Sequence, residues 1–208
     1  MSDPSQRLLQ AAAAPDPADP DPALEAITDA ALRQFELFGM ARSTMDQISR
    51  RAKIARVTLY RRFPGKDALI DAVIQRELRR FLADLDAAVQ PFEDVDDRLV
   101  EGFIFVLGAM RNHTLLQRVL DSEPETILPY LTVQGGPFLT AARDYLAARL
   151  LRDHDDAHTP EEVVLLADVL VRLMLSFLLT PQTLIDLDDR EQARTFALRY
   201  LRPMLARG

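Results

Sequence analysis

Apolar residues recur at helical spacing along nearly the whole chain, and prolines and glycines cut that pattern into segments. Leu24, Ile27, Ala31, Phe35 and Phe38 share one face of a first helix, which Asp21 can cap, Pro22 can start and Gly39 stops. Thr44 opens a short second helix with Met45, Ile48 and Ala52 on one side. After Lys53, Ile54 and Ala55 a third helix is expected over 56–63, ending at Pro64 and Gly65. Leu69, Val73, Ile74, Phe81, Leu82 and Leu85 then predict a long amphipathic helix from Lys66 to about Val89.

The remainder also reads as helices, with no repeat period. The run FIFVLGAM at 103–110 is apolar on all sides, as in a central helix surrounded by others, and predicts a helix over 95–112. A short helix is expected over 115–122. Pro124, Pro129, Gly135, Gly136 and Pro137 predict an irregular stretch before a helix over 138–152. Thr159, Pro160, Glu161 and Glu162 combine a cap, a first-turn proline and dipole-matching acids at the start of a very apolar helix over 161–179, which ends at Pro181. A last helix over 188–205 places Ala193, Phe196, Ala197, Tyr200 and Leu201 on one face. Two such apolar helices are either a buried hairpin or a partner surface.

Composition agrees with an all-α fold: there are 7 glycines in 208 residues, too few for the turns of a sheet protein. The absence of cysteine removes disulfides, thiolate catalysis and cysteine-ligated metal. No stretch has the length and apolarity of a membrane span and no signal pattern opens the chain, so a cytoplasmic location is expected. Residues 1–21 are acidic and rich in proline and alanine, and predict a disordered arm.

The net charge is −7, which disfavours nucleic acid as a partner until its distribution is considered. Residues 22–66 carry nine basic groups against four acidic ones, whereas the chain beyond them is strongly acidic. A small basic unit on an acidic body fits one end meeting a polyanion; chance clustering of solvated charge is the alternative. Two short helices joined by a tight turn, with a preceding helix to complete the core, form a helix-turn-helix unit. In its second helix Leu59 and Phe63 face inward, leaving Arg56, Val57, Thr58, Tyr60, Arg61 and Arg62 outward. Arginine can bind guanine bidentately, valine and threonine can touch a thymine methyl, and tyrosine and arginine reach phosphates. A cationic helix for a protein partner has the same pattern.

Residues 39–70, GMARSTMDQISRRAKIARVTLYRRFPGKDALI, resemble the DNA-binding segment of the tetracycline-repressor (TetR) family of bacterial transcriptional regulators, above all in T-L-Y-x-x-F-x-x-K and the upstream I-x-x-x-A. The resemblance implies Arg56, Val57, Thr58, Arg61 and Arg62 near base edges, and Thr44, Tyr60 and Lys66 on phosphates. Two positions depart from the family pattern. Lys53 replaces the turn glycine, at a cost of roughly 1–2 kcal/mol if left-handed, and could add a phosphate contact. Ala55 replaces the serine cap of the recognition helix, a loss of about 1 kcal/mol. The arm, often basic in the family, is acidic here and disfavours minor-groove contacts.

The resemblance further implies a DNA-binding domain over 22–66 and an effector-binding and dimerisation domain over 67–208, joined by the fourth helix. It implies a homodimer on a palindromic duplex operator, action as a repressor, and release by a small effector. The expected pocket is lined by Phe103, Leu107, Met110, Phe138 and Phe177, with Arg111 and Arg143 as polar anchors, and suits a hydrophobic, lipid-like or aromatic compound. The same residues could simply fill a core. Asp168, Arg172 and Ser176 recur on the apolar helix and fit a subunit interface or a plain structural pair, with polar fixtures in a pocket as the alternative. His113, His154 and His158 do not form a convincing zinc set, and no cofactor or catalytic motif occurs. A helical small-molecule binding protein or enzyme, with an incidental basic unit, is the competing function.

Overall fold

The computed structural model describes residues 21–153 and 159–205. The arm over 1–20 and the loop with His154, Asp155, Asp156 and His158 lie outside the described residues. Among the described residues every regular element is helical.

The N-terminal unit is built from α1 (Pro22–Phe38), α2 (Met45–Arg51), α3 (Arg56–Arg62) and the first turns of α4 (Lys66–Val89). Asp21 caps α1 by accepting the N–H of Ala23 at 2.9 Å and Leu24 at 3.3 Å. At the other end Gly39, with φ +82°, takes a backbone position that a side chain would strain. Ile27, Ala31, Phe35, Ile48, Leu59, Leu69 and Val73 are enclosed together, so each short helix is held by one or two large apolar anchors rather than by its own propensity. Leu115 and Val119 complete this core, and both come from α6 (Thr114–Ser122), a helix of the body.

In the body, α5 (Val95–Asn112) runs centrally, as its all-round apolarity predicts. It is followed by α6, α7 (Pro124–Leu131), α8 (Gly136–Asp153) and α9 (Pro160–Leu179). The chain closes with α10 (Arg190–Phe196), a π-helical turn (Ala197–Leu201) and α11 (Arg202–Leu205). Val100, Phe103 and Leu107 of α5 pack with Leu170 of α9 and with Ala193, Ala197 and Leu201 of the C-terminal segment. Ala147 and Leu150 of α8 pack on Val163 and Ala167 of α9, where small residues let the two helices approach closely.

Two expectations need correcting. The stretch containing Pro124 and Pro129 is a helix, not irregular chain. Pro124 occupies the first turn, where no N–H is needed, and so short a helix loses little to Pro129. The last helix starts at Arg190 on an Asp189 cap and is interrupted by the π turn, which shifts its register. Ala193, Ala197 and Leu201 are buried as expected, whereas Phe196 is only half-buried and Tyr200 is exposed. The start of α9 is as expected: Thr159 and Glu162 form a reciprocal capping box ahead of Pro160.

Candidate nucleic-acid interface

The geometry of α2 and α3 follows from their ends. Thr44 accepts the N–H of Gln47 at 3.3 Å while the Gln47 side chain accepts the Thr44 N–H at 2.9 Å, which gives α2 a fixed start. Its end is a Schellman arrangement: Ile54 N–H donates to Ser49 O at 3.0 Å and Lys53 N–H to Arg50 O at 3.2 Å. This motif demands a left-handed residue, and Lys53 supplies it with φ +55°. Ala55 precedes α3 and offers no side-chain cap.

Fully buried Leu59 and nearly buried Phe63 seat α3 on the core. The opposite face presents Arg56, Val57, Tyr60, Arg61 and Arg62 as exposed residues and Thr58 as half-buried. Val57 is 76% exposed, so its methyl groups are free to touch a partner. Thr44 is exposed at the start of α2 and Lys53 at the turn. All nine residues singled out from the sequence thus lie on or beside one helix-turn-helix.

Several of these cations already have partners. Arg56 Nε stands 2.9 Å from Asp46 Oδ1, and its guanidinium carbon lies 5.4 Å from the Tyr60 ring centre. Arg62 pairs with Asp21, and this hydrogen bond, ahead of the backbone N–H bonds from Leu24 and Ala23, holds the Asp21 carboxyl below its usual range. Lys66 Nζ donates to Met40 O at 3.2 Å and Ala41 O at 3.1 Å, tying the start of α4 to the α1–α2 turn. Asp21 is legible in the sequence only as a helix cap, and the role of Asp46 beside Arg56 carries no signal there, because a single carboxylate has no periodicity.

The unit is fastened to the body through α4. The buried Arg76 guanidinium donates to Thr28 Oγ1 at 2.6 Å and pairs with Asp29 at 2.8 Å and Glu77 at 3.1 Å, locking α4 to α1. Further along, Asp86 takes Arg149 Nε of α8 at 2.6 Å and the Tyr145 hydroxyl at 3.4 Å; burial raises the pKa of that hydroxyl.

In the body, Phe103 stacks on Phe196 at 5.6 Å and meets Phe177 edge-on at 6.3 Å, and Leu107 belongs to the same core. Met110 and Phe138 are half-buried. Arg111 pairs with Asp188, and Arg143 donates to its neighbour Asp144 at 2.8 Å. Asp168 and Arg172 form an i, i+4 pair at 2.6 Å on the outer side of α9. No helix among the described residues is long and apolar enough to cross a membrane.

The comparisons with known proteins agree with this architecture. Residues 27–73 match the tetR family of bacterial regulatory proteins, and residues 94–198 match the C-terminal domain of the bacterial tetracycline repressor. An uncharacterised HTH-type transcriptional regulator of Mycobacterium bovis is 30% identical over 115 residues, which are 54% of this chain and 57% of that protein. The chain thus spans little more than half the length of that curated relative. The crystal structure of the TetR family repressor AlkX from Dietzia sp., implicated in biodegradation of n-alkanes, superposes with a TM-score of 0.63 at 19% identity, over 89% of this chain and 96% of that one. The fatty acid degradation regulator FadR from Bacillus halodurans gives 0.62 at 18% identity, over 88% and 98%. With the helix-turn-helix and the helical body both matched, the chain belongs to the tetR family of bacterial regulatory proteins, a family of DNA-binding transcriptional regulators rather than enzymes.

Proposed function

We propose that this protein is a ligand-responsive repressor that binds a palindromic operator as a homodimer and is released by a small hydrophobic effector. The observation that carries the reading is the outer face of α3, where Val57, Tyr60, Arg61 and Arg62 stand exposed on a helix anchored from behind by Leu59 and Phe63. Such a helix fits a major groove, with Arg56, Val57, Thr58, Arg61 and Arg62 toward base edges and Thr44, Lys53, Tyr60 and Lys66 toward phosphates.

A second copy is required because one recognition helix reads only a few base pairs. Leu165, Val169, Arg172 and Ser176 form an exposed stripe along α9, and Tyr200 and Met204 are exposed on the C-terminal segment. These two faces support a four-helix interface between copies. The units 22–66 and 67–208 then act as reading head and body.

The effector is assigned to the region of Phe103, Leu107, Met110, Phe138 and Phe177, with Arg111 and Arg143 as polar anchors. Phe103, Phe177 and Phe196 pack on one another there, so an occupant has to be apolar and has to displace these rings. AlkX and FadR, associated with n-alkane and fatty acid degradation, are consistent with a lipid-like one. Ligand that favours a DNA-incompetent spacing of the two heads must weaken DNA binding by linkage. Selection of duplexes by the purified protein, followed by release with a compound found by thermal shift, tests the whole reading. Loss of that release in Leu107→Trp, with DNA binding kept, assigns the pocket; an unaltered response removes it from this region.

A further inference from the structure

The α3 helix begins in an unfavourable way. Its first residue is a cation, its first turn has no acid, and Ala55 provides no cap, so positive charge sits where the helix dipole is already positive. Asp46 offsets this from outside. It lies in the first turn of α2, and the helix-turn-helix angle brings its Oδ1 within 2.9 Å of Arg56 Nε. That oxygen is covered and accepts no hydrogen bond, so its contact with Arg56 is an ion pair, on a side chain that is itself 46% exposed and keeps the rest of its carboxylate in water. Tyr60, one turn along, supplies the second side of the clamp, with its ring centre 5.4 Å from the guanidinium carbon. The Arg56 side chain is nonetheless 65% exposed, and among the described residues its two terminal amino groups have no protein partner.

We propose that Asp46 is a specificity-determining positioning residue that holds Arg56 by its Nε edge and presents the two terminal amino groups as a pre-aimed bidentate donor to one guanine in each half-site. This rests on the proposed DNA reading and deepens it. Guanine offers O6 and N7 side by side in the major groove, a pair that two parallel N–H groups match and that no other base presents. An unclamped arginine can turn to the nearest phosphate instead, which adds affinity without information. An acid beside the reading face lowers affinity for DNA in general, so the carboxylate gives up affinity in exchange for discrimination.

The test compares Asp46→Asn, Asp46→Glu, Arg56→Ala and the double variant Asp46→Asn/Arg56→Ala in the full-length protein. Each is titrated against the operator selected by the unmutated protein, against single-base variants of it, and against random duplex, with a thermal melt alongside. Asp46→Asn is expected to melt cooperatively, bind random duplex more tightly, and lose about 10-fold of the preference for guanine at one base pair per half-site. Arg56→Ala is expected to lose preference at that same base pair, the double variant to lose no more, and Asp46→Glu to retain it. Full preference in Asp46→Asn, a uniform loss at every position, or a different base pair in Arg56→Ala overturns the proposal. Absence of any sequence-preferring complex with the unmutated protein overturns the DNA reading itself, an outcome the variants cannot mimic.

Discussion

The carboxylate of Glu123, at the end of α6, accepts the backbone N–H of Ala41 at 3.2 Å, so the body touches the reading head at the turn between its first two helices. The carbonyl of the same Ala41 takes Lys66 Nζ, which clamps the turn between α6 and α4. Gly39 leaves room for this contact: a Cβ there would collide with the Glu123 carboxylate, in a backbone conformation already unfavourable for a side chain.

Gly39→Ala is therefore expected to lower stability by about 1–3 kcal/mol, from the left-handed conformation and the displaced carboxylate together. Glu123→Ala leaves the Ala41 N–H without its acceptor and should cost a similar amount. Denaturant titration of both variants checks this, and wild-type midpoints would show that the contact carries no energy.

Lys53→Gly separates two roles of one residue. Relief of φ +55° should raise stability by about 1 kcal/mol, while removal of the cation should weaken DNA binding and reduce the salt slope by about one phosphate. Melting temperature and the salt dependence of affinity measure the two effects in the same sample.

At Ala55 a missing cap can be restored. Ala55→Ser gives α3 a hydroxyl for its unbonded N-terminal N–H groups and should stabilise the fold by about 1 kcal/mol, read as an upward shift of the unfolding midpoint.

The helices were legible because each carries apolar residues at helical spacing and most carry a recognisable cap, as with Thr44 and Gln47 or Thr159 and Glu162. The α7 helix was hidden because Pro129 is read as a breaker, although so short a helix tolerates it. The π turn was hidden because Ala193, Ala197 and Leu201 recur every fourth residue, which is the α pattern. The outward face of α3 could be read from Leu59 and Phe63, but its tethers could not. Arg62 with Asp21, Arg56 with Asp46 and Ala41 with Glu123 join residues of different elements, and only the fold brings them together.

For the homodimer, Leu165→Asp with Val169→Asp places charge in the exposed stripe of α9. Light scattering at micromolar concentration is expected to show a dimer for the unmutated protein and a monomer for this variant, with operator affinity falling steeply in the variant. A monomer that binds the operator fully would contradict the proposed assembly.

The central claim, that α3 reads duplex DNA, is tested most directly by titrating the purified protein into a selected operator at several salt concentrations. The expected result is saturable binding whose logarithm falls linearly with that of salt, weakened for all sequences by Tyr60→Phe and Lys66→Ala and altered in base preference by Thr58→Ala or Arg61→Ala. No duplex retained by the unmutated protein, or binding to a selected one that all four substitutions leave unchanged, would contradict it.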